Sequence, residues 1–126
     1  MKKVIISDKA PGAIGPYSQA IRAGDFLYAS GQIPIDPATG QLVTGSIEDQ
    51  ARQVMENIKG LLESAGYSMQ HVIKALVFAA DMNDFAAING VYTQYFTKCP
   101  PARSFVAVKG LPKGAGLEIE VVAWKG

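Results

Sequence analysis

Apolar residues recur at three- and four-residue spacing between Ser46 and Gly66, which is the pattern of one face of a helix. Asp49 stands three residues after Ser46, in the pattern of a capping box, so the helix is expected to begin there. Gly66 is expected to end it, because glycine is the usual residue in the left-handed position that follows a helix. The apolar face consists of Ile47, Ala51, Val54, Ile58, Leu61 and Ala65.

A second helical pattern begins at Asn83 or Asp84 and continues to Phe96. Pro100 and Pro101 follow it, and proline stops a helix because it lacks a backbone N–H and clashes with the preceding turn. The sequence therefore predicts two helices, the second with an amphipathic side of its own. Its apolar stripe consists of Phe85, Ile88, Tyr92, Tyr95 and Phe96.

The remaining apolar segments have the alternation or the β-branched content of strands, and Pro34 to Gly45 is predicted to be a loop. Their order predicts an α+β or α/β two-layer design, with a mixed sheet and both helices on one face. The other sheet face has no cover within the chain, so we expect oligomerisation to bury it. The predicted strands are Lys3 to Ile6, the hairpin of Tyr17 to Arg22 with Phe26 to Gly31, His71 to Ala80, Arg103 to Lys109, and Leu117 to Trp124.

Composition and charge exclude several classes of protein. With 126 residues, 48% hydrophobic and 18% charged, the chain is expected to form one globular domain over residues 1–126. The net charge is +1 and the basic residues are scattered, so no nucleic-acid partner is expected. The apolar runs are too short for a membrane span or a signal peptide. The single cysteine, Cys99, excludes an internal disulfide, and together these features predict a cytoplasmic protein.

Three conspicuous features are better explained by structure than by chemistry. His71, the only histidine, stands at the start of a predicted strand with no catalytic motif around it. Cys99 precedes two prolines and is expected to be a passive surface or packing residue, and one His with one Cys cannot build a usual zinc or iron site. The segment from Gly110 to Gly116 lacks the spacing of a phosphate-binding loop and no helix follows it, so it is predicted to be a connection.

Three polar residues depart from their local pattern in a more informative way. Asn89 lies within the apolar stripe of the second helix, and a buried amide needs partners from either the backbone or a ligand. Arg103 and Glu118 lie in the last two strands, where the residues alone favour an exposed charge or half of an ion pair. If these strands form a hairpin about Lys113, Arg103 and Glu118 are roughly 16 Å apart along the strand. Their cooperation would need a different strand pairing or a neighbouring subunit.

Blocks of residues spread in order over nearly the whole chain decide between these alternatives. They are Ala13-Ile14-Gly15-Pro16-Tyr17-Ser18-Gln19-Ala20, Ala29-Ser30-Gly31-Gln32-Ile33-Pro34, Gln50-Ala51-Arg52-Gln53, Asp81-Met82-Asn83-Asp84-Phe85, Val91-Tyr92, Pro101-Ala102-Arg103-Ser104, Leu111-Pro112-Lys113 and Leu117-Glu118-Ile119-Glu120. Together they resemble the RidA (YjgF) family, the reactive-intermediate deaminases.

The resemblance implies a chorismate-mutase-like fold, in which a mixed sheet carries two helices on one face. Such family members form homotrimers whose sheets pack together as an inner barrel, with the helices outside and the ligands in three clefts between subunits. This assembly would supply the missing cover for the second sheet face. It would also offer a solution to the separation of Arg103 and Glu118.

The implied reaction is the hydrolysis of 2-iminopropanoate and 2-iminobutanoate to 2-keto acids and ammonia, with no metal or organic cofactor. Free imines already hydrolyse in water, so a carboxylate clamp, an oriented water and a proton-transfer group suffice. Arg103 has the planar pair of donors that suits an α-carboxylate. Glu118 matches the family position that holds and activates the attacking water.

The resemblance assigns substrate-binding roles to five further residues. Tyr17 and Ser30 match polar pocket positions, and Gly31 would offer its carbonyl to the substrate nitrogen. The backbone N–H of Phe105 would add a donor to the carboxylate clamp, and Asn89 would help to shape the site. Many family members carry Cys where this chain has Phe105, so a different pocket and imino-acid preference are expected.

Two rival functions stay open at this point. The protein could be a non-catalytic binder of small 2-keto acids, or a ribonuclease or translation inhibitor as attributed to some relatives. Arg103 serves binding and hydrolysis equally, whereas Glu118 is needed chiefly for hydrolysis. The scattered basic residues and the lack of a second histidine argue against RNA cleavage.

Overall fold

The computed structural model describes residues 1–126 and contains one six-stranded sheet with two α-helices packed on the same face. This is the fold class that the sequence predicts. Short 3₁₀ turns lie at Met69–His71, Met82–Asp84 and Pro112–Gly114. The main elements are β1 (Lys3–Ile5), β2 (Ala20–Ala23), β3 (Phe26–Gln32), α1 (Ile47–Ser64), β4 (Val72–Ala79), α2 (Phe85–Tyr92), β5 (Ala102–Ala107) and β6 (Leu117–Trp124).

The strand order is β1-β2-β3-β6-β4-β5, and all neighbours are antiparallel except β4 and β5, which are parallel. The predicted hairpin of β2 and β3 is confirmed, with Gly24 at a positive φ of 59° in a two-residue turn. The last two strands do not form a hairpin about Lys113, because β5 and β6 lie on opposite sides of β4. Parallel strands need a crossover, and α2 supplies it between β4 and β5.

Helix α1 begins and ends as its local sequence predicts. The Ser46 hydroxyl accepts a hydrogen bond from the Asp49 N–H at 3.1 Å, which satisfies one of the free donors of the first turn. At the other end Gly66 has φ 81° and donates to the Glu63 carbonyl, while Tyr67 N–H donates to the Leu62 carbonyl. This is the paired hydrogen-bond pattern of a Schellman motif.

Helix α2 is shorter than predicted and ends at Tyr92 rather than Phe96. Beyond it, Gln94 N–H donates to the Val91 carbonyl and Tyr95 N–H to the Tyr92 carbonyl. These three-residue bonds tighten the chain into a turn that leaves the helix axis. The last aromatic residues of the predicted stripe, Tyr95 and Phe96, still pack against the core, but their backbone is not helical.

Two further segments differ from the predicted strands. His71 belongs to the 3₁₀ turn before β4, where its Nδ1 accepts a hydrogen bond from the Ser68 N–H at 2.9 Å. Tyr17 precedes β2 in a turn, in which its own N–H donates to the Gly15 carbonyl at 2.8 Å. Both residues are therefore held by local side-chain or turn contacts instead of by the sheet ladder.

The core lies between the sheet and the helices and follows the alternation of the central strands. In β6 every second residue is buried, and each lies level with a buried residue of β4. Fully burying one large aliphatic side chain contributes about 1.5–3 kcal/mol, so this layer is the main source of stability. Its central members are Val54, Ile58 and Leu61 of α1, Ile88 of α2, Ala75 and Val77 of β4, and Leu117, Ile119 and Val121 of β6.

The other face of the sheet carries no helix and remains apolar over much of its area. Its large exposed apolar side chains come from β1, β3, β5 and β6, and the charged Lys74, Glu118 and Glu120 lie on the same face. None of the helices is both long and apolar enough to cross a membrane. The exposed apolar side chains of this uncovered face are Val4, Phe26, Tyr28, Val106 and Trp124.

Candidate active site

Arg103 lies on the edge strand β5 and points to the helix-covered face of the sheet. It is level with Ala75 of β4, which is itself level with the buried Val121 of β6. Residues paired across strands project to the same face, so the Arg103 side chain extends towards α2. There its Nη1 donates a hydrogen bond to the Asn89 Oδ1 at 2.7 Å. The amide in the apolar stripe therefore has Arg103 as its partner.

Three aromatic rings surround the guanidinium. Its Cζ lies 4.8 Å from the ring centroid of Tyr92, 5.3 Å from that of Phe105 and 5.8 Å from that of Phe85. The rings of Phe85 and Phe105 also meet edge to face, with centroids 4.7 Å apart. Each ring attracts a cation by about 0.5–2 kcal/mol without neutralising it. The amide and the rings thus hold Arg103 in place and leave its charge available to an anion.

A cavity of about 320 Å³ adjoins Arg103, within the size range of small-molecule sites. One N–H of Arg103 is used by Asn89, and a guanidinium has five, so several donors can serve a ligand. Among the other wall residues, the sequence pattern places Tyr92 and Phe96 in the apolar stripe of the second helix and the two prolines just after it. The cavity is lined by Asn89, Tyr92, Thr93, Phe96, Pro100, Pro101 and Arg103.

The main-chain N–H of Phe105 is free of the sheet ladder. Val108 N–H donates to the Ala79 carbonyl of β4 at 2.9 Å, and successive residues of a strand point their N–H groups to alternate sides. The N–H of Phe105, three residues earlier, therefore points away from β4 to the open edge of the sheet. Its position is compatible with the predicted second donor of the carboxylate clamp.

Tyr92 is a wall residue that the sequence pattern placed only in the apolar stripe. Its side chain is buried, yet its hydroxyl has no hydrogen-bond partner. Burial raises the pKa of Tyr92, and the positive charge of Arg103 opposes that rise. No feature of the sequence could have identified this residue, because an unpaired hydroxyl becomes visible only in the packed structure.

Glu118 lies on the uncovered face of the sheet, level with Phe78 of β4. Its carboxylate packs against Gly31, at a bulge where the pairing of β3 with β6 shifts register between Ala29 and Gln32. A Cβ at position 31 would lie 2.8 Å from the Glu118 Cδ, closer than real side chains approach. Glycine is therefore required at position 31 for the carboxylate to lie there.

The surroundings of Glu118 favour a protonatable group over a structural ion pair. Its pKa is raised, first by burial and second by the like charge of Glu120. A neighbouring cation would have lowered the pKa instead. The explanation of Glu118 as half of an ion pair therefore has no support within the chain. A carboxyl group with a raised pKa is better suited to taking and returning a proton near neutral pH.

Tyr17, Ser30 and Gly31 lie on the same side of the sheet as Glu118. Tyr17 and Ser30 line a surface pocket of about 420 Å³, and Tyr17 and Gly31 line an adjoining recess. The Ser30 hydroxyl donates to the Ser18 carbonyl at 2.6 Å. The Tyr17 hydroxyl accepts a hydrogen bond from a backbone N–H, and its side chain is 48% exposed. Gly31 contacts Glu118 directly, and Glu120 of the same strand lines the pocket of Tyr17 and Ser30.

The predicted site residues therefore fall into two groups on opposite faces of the sheet. Arg103 is level with Ala75 and Glu118 with Phe78, so the two lie two strands and three residues apart. That separation is about 14 Å between backbone positions, with the sheet between their side chains. A different strand pairing does exist, but it does not bring Arg103 and Glu118 together. One ligand can contact both only if a second copy of the chain takes part.

The structure shows the surroundings of the histidine, the cysteine and the glycine-rich connection, which the sequence predicts to have structural roles. His71 uses its Nδ1 to accept the Ser68 N–H, and Cys99 is exposed. The glycine-rich connection contains a 3₁₀ turn in which Lys113 has φ 57°, and it leads into β6 instead of a helix. No group of three or more His, Cys, Asp or Glu side chains is arranged to hold a metal ion.

The family model described as Endoribonuclease L-PSP matches residues 7–125 of the chain. The chain belongs to the RidA (YjgF) family. Among its relatives, a RutC family protein of Pyrococcus horikoshii is 58% identical over 125 residues, which cover 99% of each chain. The human 2-iminobutanoate/2-iminopropanoate deaminase is 47% identical over 126 residues, which cover 100% of this chain and 92% of the human protein.

Solved structures of the RidA family share the fold closely. A Thermotoga maritima protein has a TM-score of 0.98 at 51% identity, and the match covers 100% of this chain and 99% of that one. Escherichia coli TdcF, solved with bound serine, has a TM-score of 0.94 at 46% identity, covering 98% of this chain and 99% of TdcF. These matches confirm the predicted fold class.

Proposed function

We propose that the protein hydrolyses 2-iminopropanoate and 2-iminobutanoate to the corresponding 2-keto acids and ammonia. The observation that carries the proposal is Arg103, a guanidinium held by Asn89 and three rings, with unused donors beside a small cavity. The α-carboxylate of an imino acid is the planar acceptor that a guanidinium binds through two parallel hydrogen bonds. The human relative named as a deaminase of these two imino acids supports the assignment.

Glu118 supplies the proton transfer in this proposal. Its carboxylate takes a proton from water as the oxygen attacks the imine carbon and returns that proton to the nitrogen, which gives a carbinolamine. Glu118 then transfers the proton of the carbinolamine hydroxyl to the nitrogen as the C–N bond breaks. Ammonia then leaves, and the former water oxygen becomes the carbonyl oxygen of the keto acid. The raised pKa of Glu118, caused by burial and then by Glu120, suits a group that both accepts and returns a proton.

The active site in this proposal lies between two copies of the chain. One copy supplies Arg103 and the N–H of Phe105, and the other supplies Glu118 with Tyr17, Ser30 and Gly31. The arrangement is a cytoplasmic homotrimer in which the uncovered sheet faces form the inner barrel. The support is the opposite orientation of Arg103 and Glu118 within one chain, together with the apolar character of the uncovered face.

A protein that only binds 2-keto acids would use the same cavity, because a keto acid carries the same carboxylate. The position of Glu118 against Gly31 favours hydrolysis over binding alone, since a carboxylate beside a bound anion would otherwise only weaken binding. The ribonuclease named in the family description is less well supported. The only histidine is engaged with Ser68, and the Arg103 cavity has the volume of a small molecule.

The decisive experiment adds the purified protein to a threonine dehydratase reaction that contains semicarbazide. Semicarbazide traps the 2-iminobutanoate that survives, so hydrolysis by the protein lowers the initial rate of semicarbazone formation. The Arg103→Ala variant serves as the control and should leave that rate at its value without added protein. If the parent protein leaves the rate unchanged but binds 2-oxobutanoate measurably, the protein is a non-catalytic binder of 2-keto acids and the deaminase proposal is wrong.

A further inference from the structure

The hydroxyl of Tyr92 is the one buried side-chain polar atom in the chain that lacks a hydrogen-bond partner. Tyr92 is only 7% exposed, and a hydroxyl withdrawn from water without a partner destabilises the fold. Phenylalanine would fill nearly the same space without that penalty. The hydroxyl is therefore explained best by a partner that arrives after folding.

The position of Tyr92 links it to the Arg103 cavity. It follows Asn89 by three residues on α2, so both side chains leave the same side of the helix. Its ring lies beneath the guanidinium and forms part of the cavity wall. Burial raises the pKa of Tyr92, so the hydroxyl keeps its proton at neutral pH and is a donor.

We propose that Tyr92 is a further ligand-binding residue, whose hydroxyl donates a hydrogen bond to the carboxylate held by Arg103. In the free chain the guanidinium bonds to Asn89 and the hydroxyl has no acceptor. When a carboxylate enters the cavity, it binds the unused N–H donors of Arg103 and gives the hydroxyl an acceptor. The site then binds the anion through the charged guanidinium of Arg103 and the neutral hydroxyl of Tyr92. This inference rests on the proposed function only in taking a carboxylate as the ligand.

The Tyr92→Phe variant tests the inference, with Tyr95→Phe as the matched control. Tyr95 lies three residues further on, and its hydroxyl donates a 2.6 Å hydrogen bond to Glu56. The probe is 2-oxobutanoate, a stable keto acid, titrated by calorimetry. The melting temperature is measured without ligand, and KM and kcat in the imine assay. Removal of one donor to a charged ligand weakens binding by about 10-fold to 100-fold.

For Tyr92→Phe we expect an unchanged or higher melting temperature, a Kd for 2-oxobutanoate raised at least about 10-fold, and a similar rise in KM with kcat little changed. For Tyr95→Phe we expect a lower melting temperature and an unchanged Kd. A lower melting temperature for Tyr92→Phe would show that its hydroxyl has a structural partner and would overturn the inference.

Combinations of these outcomes separate this inference from the proposed function. If Arg103→Ala abolishes binding and hydrolysis while Tyr92→Phe binds 2-oxobutanoate as the parent does, only the role of Tyr92 is overturned. If Arg103→Ala still binds and hydrolyses normally, the Arg103 site is wrong and the role of Tyr92 fails with it. If the parent binds 2-oxobutanoate without hydrolysing imines while Tyr92→Phe binds it more weakly, only the proposed function fails.

Discussion

Replacing Glu118 with Gln separates an enzyme from a binder. Gln has nearly the same size and still fits against Gly31, but it cannot accept and return a proton. Hydrolysis should fall by about 10²–10⁴-fold, which is the usual contribution of a positioned acid or base. The affinity for 2-oxobutanoate should stay close to that of the parent, because in the proposed site the ligand carboxylate is held by Arg103 of the neighbouring copy and not by Glu118.

The raised pKa of Glu118 adds a pH dependence whose sign is determined. Burial and Glu120 raise the pKa above the ordinary 4.5, so the folded state holds this proton more tightly than the unfolded state. The stability from this group is fully present below about pH 4.5 and is lost as the pH rises through the folded pKa. Gln does not titrate. The difference in melting temperature between Glu118→Gln and the parent, measured at the same pH, should therefore shift in favour of the variant from acidic to neutral pH.

The same titration should be visible in turnover. In the parent, kcat/KM should increase with pH along a limb whose apparent pKa lies above 4.5, and this limb should be missing from Glu118→Gln. Glu120→Gln is the control, since it removes the neighbouring charge and should move the limb to lower pH while sparing turnover at neutral pH. Unchanged hydrolysis by Glu118→Gln, with a lowered melting temperature at neutral pH, would refute the mechanism and make Glu118 structural.

Three other substitutions and one measurement on the parent protein give expected outcomes. Gly31→Ala should fold, because the clash falls on the end of a flexible side chain, but it should displace the Glu118 carboxylate and lower turnover at least about tenfold in the imine assay. Arg103→Lys should restore little of the activity lost in Arg103→Ala, since an ammonium cannot form the paired hydrogen bonds; near-normal kcat/KM would show that charge alone suffices. Phe105→Cys should widen the range of imino acids hydrolysed, and an unchanged ranking of alanine-, leucine- and phenylalanine-derived imines would exclude its side chain from the pocket. Sedimentation velocity at micromolar concentration should show a trimer, whereas a monomer would remove the shared site.

The features of the fold that depend on neighbouring residues could be predicted from the sequence. Helix α1 is bounded by Ser46 and Gly66 because a cap and a Schellman turn each act within a few residues. The β2–β3 hairpin is likewise determined by the glycine of its two-residue turn. The end of α2 was less predictable, since the apolar spacing persists to Phe96 although the backbone leaves the helix after Tyr92.

The pairing of the last strands could not be derived from spacing, because a crossover and a hairpin have similar local patterns. The choice depends on α2 covering the sheet, which places β5 parallel to β4 and leaves the other edge of β4 to β6. That pairing determines that Arg103 faces the helices and Glu118 faces away. The resemblance to the RidA family assigned a role to each residue, but it gave no partner for either of them within this chain.

The sequence by itself determined which residues break the apolar pattern, namely Asn89, Arg103 and Glu118, because a polar residue among apolar neighbours is a local property. Only the tertiary structure decided what surrounds each of them. Asn89 meets Arg103, and Glu118 rests on Gly31, because strand register and helix packing join residues that are far apart in the chain. The tertiary structure alone also reveals the unpaired hydroxyl of Tyr92, because the lack of a hydrogen-bond partner can be seen only when all neighbouring residues are in place.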